Sequence, residues 1–110
     1  MENHFTQITD QQALEQLLER SHEAPVILFK HSTTCPISSA AYKQMSQVER
    51  PVAIVIVQSA REVSNEVEAR TGLRHESPQT IVLRNGRAVW SASHFRIKSE
   101  AVEQAVRDNS

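Results

Sequence analysis

The residue best suited to do chemistry in this 110-residue chain is its single cysteine, Cys35. It lies in the stretch "FKHSTTCPISSA", just after an apolar run. Pro36 follows it directly, and proline suits the first position of a helix because its missing N–H would have no partner there. Cys35 is therefore predicted to be a helix N-cap or its neighbour. Free backbone N–H groups and the helix dipole there favour the thiolate, which is the nucleophile of thiol–disulfide exchange.

A lone cysteine can instead be a small buried apolar residue. The local sequence argues against that role, because Ser32, Thr33 and Thr34 form a polar loop directly before Cys35. A core cysteine would be expected inside one of the apolar runs, "VILF" or "VAIVIV". The sequence therefore predicts an accessible thiol.

The presence of only one thiol limits the mechanism. In a C-x-x-C pair the second cysteine resolves the mixed disulfide, and Ser38 occupies that position here. Its hydroxyl could donate a hydrogen bond to the Cys35 sulfur, or it could merely belong to the first helical turn. His31, before the loop, could hold the thiolate as a cation or hydrogen-bond donor, or be a polar strand-end residue. Thr34 and Pro36 complete the predicted supporting group.

The elements that must position this thiol follow from apolar periodicity and from turn residues. The predicted order is β-α-β-α-β-α-β-β-α. Strands are predicted at 5–8 (a short edge strand), 26–31, 52–57 (read as central), 79–84 and 87–93, the last two joined by an Asn85-Gly86 turn. Helices are predicted from Thr9 or Asp10 to about Ser21, from Pro36 to about Val48, from about Arg61 to Thr71 and from about Lys98 to Arg107. Gly72 would close the third helix, and Ser99 is a further possible cap of the last.

This order predicts an α/β fold. Strands that alternate with helices need crossover connections, which give parallel pairs, whereas the closing hairpin must be antiparallel. A mixed central β-sheet flanked by helices on both faces fits. The length is near the commonest size of one domain, so residues 1–110 are predicted to form a single domain.

Composition excludes some classes of partner. The chain has 12 Lys and Arg against 13 Asp and Glu, a net charge of −1, which argues against nucleic acid or an anionic membrane as the main partner. The longest apolar run, at 52–57, is too short to span a bilayer. A polar N-terminus, "MENHFTQITD", and a single cysteine favour the cytoplasm. The five histidines show no i, i+4 pairing, so no metal site is expected.

Two motifs together point to a family. "TCPIS" is similar to the C-P-x-C and C-P-x-S active sites of thioredoxins and glutaredoxins. "FKHSTTCPISSAA", followed by "ESPQTIVLRNGRAVWSASH", resembles the YtxJ family of monothiol bacilliredoxins, also called BrxC. The likeness covers nearly the whole chain. It implies a thioredoxin-like fold and attack on mixed disulfides between proteins and bacillithiol, a small thiol that replaces glutathione in some bacteria.

The resemblance also implies the partners of the reaction. Cys35 would take bacillithiol from S-bacillithiolated client proteins, and bacillithiol or a partner redoxin would regenerate it. No bound cofactor is implied; bacillithiol is a co-substrate. Proteins of this fold carry a cis-proline before the fourth strand, so Ser77, Pro78 and Gln79 would bind substrate. The residues alone predict a trans Pro78 in a simple turn.

Three alternatives remain open. Lys30, Arg74 and His75 could meet the malate carboxylates of bacillithiol, or each could be a solvated surface charge. The protein could be a redox sensor without turnover, in which S-thiolation of Cys35 alters partner binding. An iron–sulfur cluster shared by two subunits is disfavoured, because Pro36 stands where monothiol glutaredoxins that hold one have glycine.

Overall fold

The computed structural model describes residues 4–110. Along the chain lie β1 (Phe5–Gln7), α1 (Gln11–Arg20), β2 (Val26–His31), α2 (Pro36–Ser46), β3 (Val52–Ile56), α3 (Arg61–Thr71), β4 (Gln79–Arg84), β5 (Arg87–Ser93), a short 3₁₀ helix (His94–Arg96) and α4 (Ser99–Asp108). The predicted order of strands and helices is confirmed, and the 3₁₀ helix is the one element of this described part that the sequence did not indicate. None of the helices within residues 4–110 has the length and apolar character that a membrane crossing requires.

The five strands form one mixed sheet in the order β1-β3-β2-β4-β5. β1 and β2 both run parallel to β3, whereas β4 runs antiparallel to β2 and to β5. β1 is a short edge strand, as predicted. β2 is the middle strand, and β3, predicted to be central, is an internal strand next to the edge.

The helices cover both faces of the sheet, which confirms the predicted layers. α1 and α3 pack on one face, and α2 and α4 pack on the other. Successive residues of β2 alternate between these two cores: Leu28 belongs to the first, and Ile27 and Phe29 belong to the second. Each face is therefore sealed by its own apolar layer.

The start of α1 and the end of α3 follow local capping rules, and the start of α4 does not. Asp10, rather than Thr9, is the N-cap of α1, because its Oδ1 accepts a hydrogen bond from the Ala13 N–H at 2.8 Å. Gly72 ends α3 at φ +74°. Ser99, considered as a possible cap of α4, is instead the first helical residue. Its N–H donates to Gln44 Oε1 at 2.8 Å, so a side chain from α2 supplies the missing acceptor.

The strand directions bring the predicted site to the edge of the sheet that is formed by the ends of its strands, and not to an edge strand. β2 and β3 end there, and β4 begins there. In the β2–β4 register Lys30 lies opposite Gln79, so the chain before β4 lies beside the chain after β2. The loop that carries Cys35 and the segment that carries Pro78 therefore meet at this edge.

Candidate active site

Cys35 is the N-cap of α2, with Pro36 at the start of the helix. Its backbone is extended, at φ −104° and ψ 124°, and its carbonyl accepts a hydrogen bond from the Ser39 N–H at 3.0 Å. The residue is half-buried, and its side chain makes no capping hydrogen bond. The predicted placement at a helix N-terminus is confirmed, and Cys35 is not one of the buried core residues.

Ser38 is fully buried, and its hydroxyl does not serve Cys35 directly. Its Oγ accepts a hydrogen bond from the Ser32 N–H at 2.9 Å and lies 2.8 Å from His31 Nδ1. No hydrogen bond from Ser38 to the Cys35 sulfur is present in residues 4–110. Of the two roles considered for Ser38, the structure shows the one within the first helical turn, because a backbone amide and an imidazole, both stronger hydrogen-bonding groups than a thiol, hold the hydroxyl.

His31, the last residue of β2, is buried and packs among aromatic side chains. Only 7% of the residue is exposed, and its ring packs against those of Phe29 and Tyr42, with centroid distances of 5.4 and 5.0 Å. Burial lowers the pKa of His31, because desolvation disfavours the charged imidazolium. Of the roles considered for His31, the structure shows a residue at the end of β2 whose hydrogen-bonding contact is with Ser38.

The loop before Cys35 is braced by Gln58, which sequence reasoning missed. The Thr33 N–H donates to Gln58 Oε1 at 3.3 Å, and Gln58 Nε2 donates to Thr33 Oγ1 at 3.1 Å. The exposed Thr34 has its Oγ1 3.3 Å from Ser32 Oγ. The available signal was topological: parallel strands end at the same edge, so residues that follow β2 and β3 can meet.

The segment before β4 packs against the thiol-bearing helix through the 3₁₀ helix. The Ser77–Pro78 peptide bond is cis, as the family resemblance implied and contrary to the trans bond predicted from the residues alone. The His94 N–H donates to the Pro78 carbonyl at 3.0 Å. The 3₁₀ helix that begins at His94 contacts α2. The structure thus brings Ser77, Pro78 and Cys35 to the same edge.

Two buried acceptors beside Pro78 have no partner within residues 4–110. These are Ser77 Oγ and Gln79 Oε1. Gln79 is only 4% exposed, and its Nε2 donates to the Arg74 carbonyl at 3.1 Å. Buried polar atoms are nearly always hydrogen-bonded, so two unpaired ones on either side of Pro78 set this segment apart.

Lys30 is fully buried, contrary to the solvated position expected for it. Its side chain crosses to the α3 face, where Nζ donates to the Ser64 carbonyl at 3.2 Å and to His75 Nδ1 at 3.1 Å. Burial lowers the pKa of Lys30 to about 8, and the nearby Glu68 carboxylate partly opposes that shift. Lys30 therefore cannot meet a ligand carboxylate in this conformation. Arg74 and His75 are exposed.

An exposed phenylalanine, also missed by sequence reasoning, lies near this edge. Phe95 is in the 3₁₀ helix and is 66% exposed. The preceding His94 has φ +57°, a left-handed conformation that is uncommon for a residue other than glycine. The neighbouring Ile97 is buried and anchors the segment. The available signal was an aromatic residue between two basic ones at the end of the last strand.

A partly apolar cleft of about 540 Å³ adjoins the loop on the other side of α2. Thr33 and Ser39 line it near Cys35, and Tyr42 and Lys43 of α2 form one wall. Among residues 4–110, no group of three or more His, Cys, Asp or Glu side chains is placed to hold a metal ion.

The chain is similar to one family of known proteins in sequence and to several solved structures in fold. The model of the family described as monothiol bacilliredoxin BrxC matches residues 6–102. A solved structure described, provisionally, as an oxidoreductase with a thioredoxin fold is 32% identical, with a TM-score of 0.85 over 92% of each chain. Thioredoxin from Fasciola hepatica is 12% identical, with a TM-score of 0.73 over 94% of this chain and 98% of that one. Thioredoxin from Trypanosoma brucei brucei is also 12% identical, with a TM-score of 0.74 over 94% and 88%. The fold is thus thioredoxin-like, as the resemblance implied.

Proposed function

The chain belongs to the monothiol bacilliredoxin BrxC family, and from that premise we propose that it removes bacillithiol from protein mixed disulfides through Cys35. In general terms it is a redox protein, a thiol–disulfide oxidoreductase of thioredoxin fold. One observation carries the finer proposal. Cys35 caps α2 at an accessible edge, and the position of a resolving thiol holds the Ser38 hydroxyl. A protein built this way can accept a small thiol but cannot release it alone.

The first step is attack by the Cys35 thiolate on the bacillithiol sulfur of a modified client. A new disulfide forms between Cys35 and bacillithiol, and the client–bacillithiol bond breaks. The electron pair leaves with the client sulfur, which is released as a thiolate and takes a proton from water. The role of α2 is to favour the attacking thiolate through its N-terminal dipole.

The second step needs a thiol from outside. Because Ser38 cannot form a disulfide, a second bacillithiol or a partner redoxin attacks the bacillithiol sulfur on Cys35. A disulfide forms between bacillithiol and the external thiol, and the Cys35 thiolate leaves, so the disulfide removed from the client ends on the external thiol. The same feature makes this chain a poor reductant of intramolecular disulfides, because the client's own second thiol would reverse the first step.

The Pro78 segment is the proposed binding site for the small thiol. The backbone of Ser77 and Gln79 would pair with its peptide-like part, and the unpartnered Ser77 Oγ supports a ligand role. Arg74 is exposed and would offer a cation to its carboxylates. Phe95, exposed and near this segment, would contact the apolar surface of a client protein. The proposed setting is the cytoplasm, with no bound cofactor.

Adduct transfer tests the proposal. The reduced protein is mixed with an excess of a bacillithiolated client, and both are followed by intact mass. We expect the adduct to move to Cys35 and, once bacillithiol is added, more client to be freed than there is protein present. A parallel series with cysteine and coenzyme A adducts reports preference among small thiols.

The control is Cys35→Ser, which should accept no adduct. Release that stops at one equivalent despite added bacillithiol would make the protein a sensor and not an enzyme. No transfer to the folded wild-type protein would contradict the proposal altogether.

A further inference from the structure

We propose that Lys30 is a positioning residue that holds the segment 74–79 in place through His75, and that protonation of His75 breaks this contact. The segment carries Ser77 and Pro78. Its role in binding the small thiol rests on the proposed function, whereas the Lys30–His75 contact belongs to the fold and is tested separately.

Lys30 lies fully buried on the α3 face of the sheet. Its Nζ donates to the Ser64 carbonyl at 3.2 Å and to His75 Nδ1 at 3.1 Å. Within residues 4–110 no carboxylate lies at salt-bridge distance from this amine. A backbone carbonyl and an imidazole therefore serve as its acceptors, and the imidazole comes from a segment outside the helices and strands.

His75 is joined to α3 as well as to Lys30. Its backbone N–H donates to Glu68 Oε2 at 3.1 Å, and its Nδ1 lies 3.2 Å from Ser64 Oγ. One side chain and one backbone group of the same residue thus attach the chain after α3 to the body of the protein.

The segment that follows His75 is closed on itself. Gln79 Nε2 donates to the Arg74 carbonyl at 3.1 Å, so residues 74–79 form a loop that begins beside His75 and ends at β4. Ser77 and Pro78 lie inside this loop. The attachment of His75 therefore sets the position of the backbone proposed to pair with the small thiol.

The Lys30–His75 contact requires a neutral imidazole. A lysine ammonium has donors and no acceptor, so Nδ1 must accept its hydrogen while the ring proton is on Nε2. An imidazolium has a hydrogen on both nitrogens, so it cannot accept, and two cations 3.1 Å apart repel each other. Burial lowers the pKa of Lys30 only to about 8, so the amine stays mainly charged where histidine titrates.

Four charged side chains act on the His75 ring: Lys30 from β2, Arg61 and Glu68 from α3, and Glu76 beside it in the chain. Burial first, and then Lys30, lowers the pKa of His75, and Arg61 adds to this, whereas Glu68 and Glu76 oppose it. The net direction is downward. The contact therefore persists to a lower pH than an unperturbed histidine would allow.

Loss of the contact has a consequence for the proposed reaction. Protonated His75 can still donate to Ser64 Oγ, but the segment is no longer held by Lys30. A looser segment must be ordered when a ligand binds, and that ordering costs affinity. We therefore expect the small thiol to be bound best above the titration midpoint of His75.

NMR between pH 5 and pH 8 tests the contact without reference to activity. Lys30→Met removes the neighbouring cation and should raise the His75 midpoint by about half a pH unit or more. His22, whose ring lies beside Gly86, should keep its midpoint. In the wild type the backbone ¹⁵N order parameters of residues 74–77 should fall as His75 is protonated, and in Lys30→Met they should not depend on pH.

His75→Asn tests the contact from its other side, because the asparagine Oδ1 takes the place of Nδ1 as an acceptor and does not titrate. Its order parameters should stay high at every pH. The rate of adduct transfer by the wild type, divided by that of His75→Asn, should fall severalfold on acidification. Ionisation of Cys35 is common to both proteins and cancels in this ratio. Lys43→Met, at an exposed lysine of α2, should behave as the wild type.

The possible results separate this inference from the proposed function. An unchanged His75 midpoint in Lys30→Met, or order parameters in the wild type that ignore pH, would overturn the inference and leave adduct transfer untouched. The expected NMR changes without adduct transfer at any pH would leave the contact standing and overturn the proposed function. If Lys30→Met does not fold, the comparison of His75→Asn with the wild type decides.

Discussion

At position 38 a hydroxyl occupies the place that a second thiol takes in a C-x-x-C motif. That hydroxyl is buried and satisfied by Ser32 and His31, so it stabilises the loop that presents Cys35. Ser38 therefore has two effects: it prevents internal resolution, and it fixes the loop. One substitution separates them.

We predict that Ser38→Cys converts the protein into a dithiol reductant. The second thiol can release the client by forming a disulfide with Cys35, so the reduced variant should lose a hydrogen pair by intact mass when mixed with insulin. Sulfur cannot replace both hydrogen bonds of the hydroxyl, so the free energy of unfolding in urea should fall by about 1–3 kcal/mol.

The matched control is Ser46→Cys, which places the new thiol at the far end of α2. Position 46 lies eleven positions along the helix from Cys35, about 16 Å, so the new thiol cannot resolve the mixed disulfide. Equal oxidation of both variants, or of the wild type, would contradict the prediction.

A second prediction at the residue scale concerns Lys30 and the pH dependence of the free energy of unfolding. Its pKa falls from 10.5 to about 8 in the folded protein because burial disfavours the charge. Between pH 8 and 10.5 the unfolded chain therefore keeps a proton that the folded chain has lost, and stability rises with pH across that window. Deprotonation of Lys30 relieves the free-energy cost of burying its charged amine, which is on the order of 3 kcal/mol.

Lys30→Met should flatten this rise, since the variant has no buried amine to deprotonate. Urea unfolding at intervals from pH 7 to pH 10.5 measures it. Lys43→Met, at an exposed lysine of α2, should keep the wild-type slope. Parallel curves for Lys30→Met and the wild type would show that Lys30 is not the source.

Among the elements, α2 contributes most to the candidate site, because both of its ends make contacts that orient it. Its first turn carries Cys35 and Ser38, and near its other end Gln44 accepts the Ser99 N–H and so caps α4. The two helices on this face of the sheet are thereby linked by a side chain as well as by their shared core. The orientation of the thiol-bearing helix is set from both ends.

The end of α3 provides the prediction at the element scale. Gly72 adopts φ +74°, and a Cβ built there would meet no atom within 4 Å. Gly72→Ala should therefore lower the free energy of unfolding by about 1 kcal/mol, from backbone strain alone. Gly72→Asn should cost less, because asparagine tolerates this conformation better. Urea unfolding measures both, and an alanine variant as stable as the wild type would show that the turn had rearranged.

For the whole molecule, stability should decrease from the middle of the sheet to its edge. β2 is paired on both sides and covered on both faces, whereas β1 has three residues and pairs only with β3 in the described chain. We expect the β2 amides from Leu28 to Lys30 to exchange with deuterium most slowly and those of Thr6 and Gln7 much faster. Hydrogen exchange followed by NMR measures this order. Equal protection of the two strands would mean that the edge does not open before the core.

Most of the architecture was predictable from local patterns in the chain. Apolar runs, the Asn85-Gly86 turn and Gly72 marked the elements, and their alternation implied the mixed sheet. The predictions that were wrong concerned the burial and contacts of individual side chains. Lys30 was expected at the surface because alternation along a strand does not reveal what covers each face.

The candidate site divides in the same way. Cys35 and its helix N-terminus follow from the adjacent residues Cys35 and Pro36, because capping is a local property of the chain. The hydrogen bonds that link His31, Ser38 and Ser32, and the bracing of Thr33 by Gln58, join residues whose nearness depends on how β2, β3 and α2 pack. The sequence by itself therefore determined where the candidate reactive sulfur is and which elements carry it. Only the tertiary structure decided which buried acceptor each hydrogen-bond donor bonds. Packing brings several acceptors near one donor, and the distances between them select the partner.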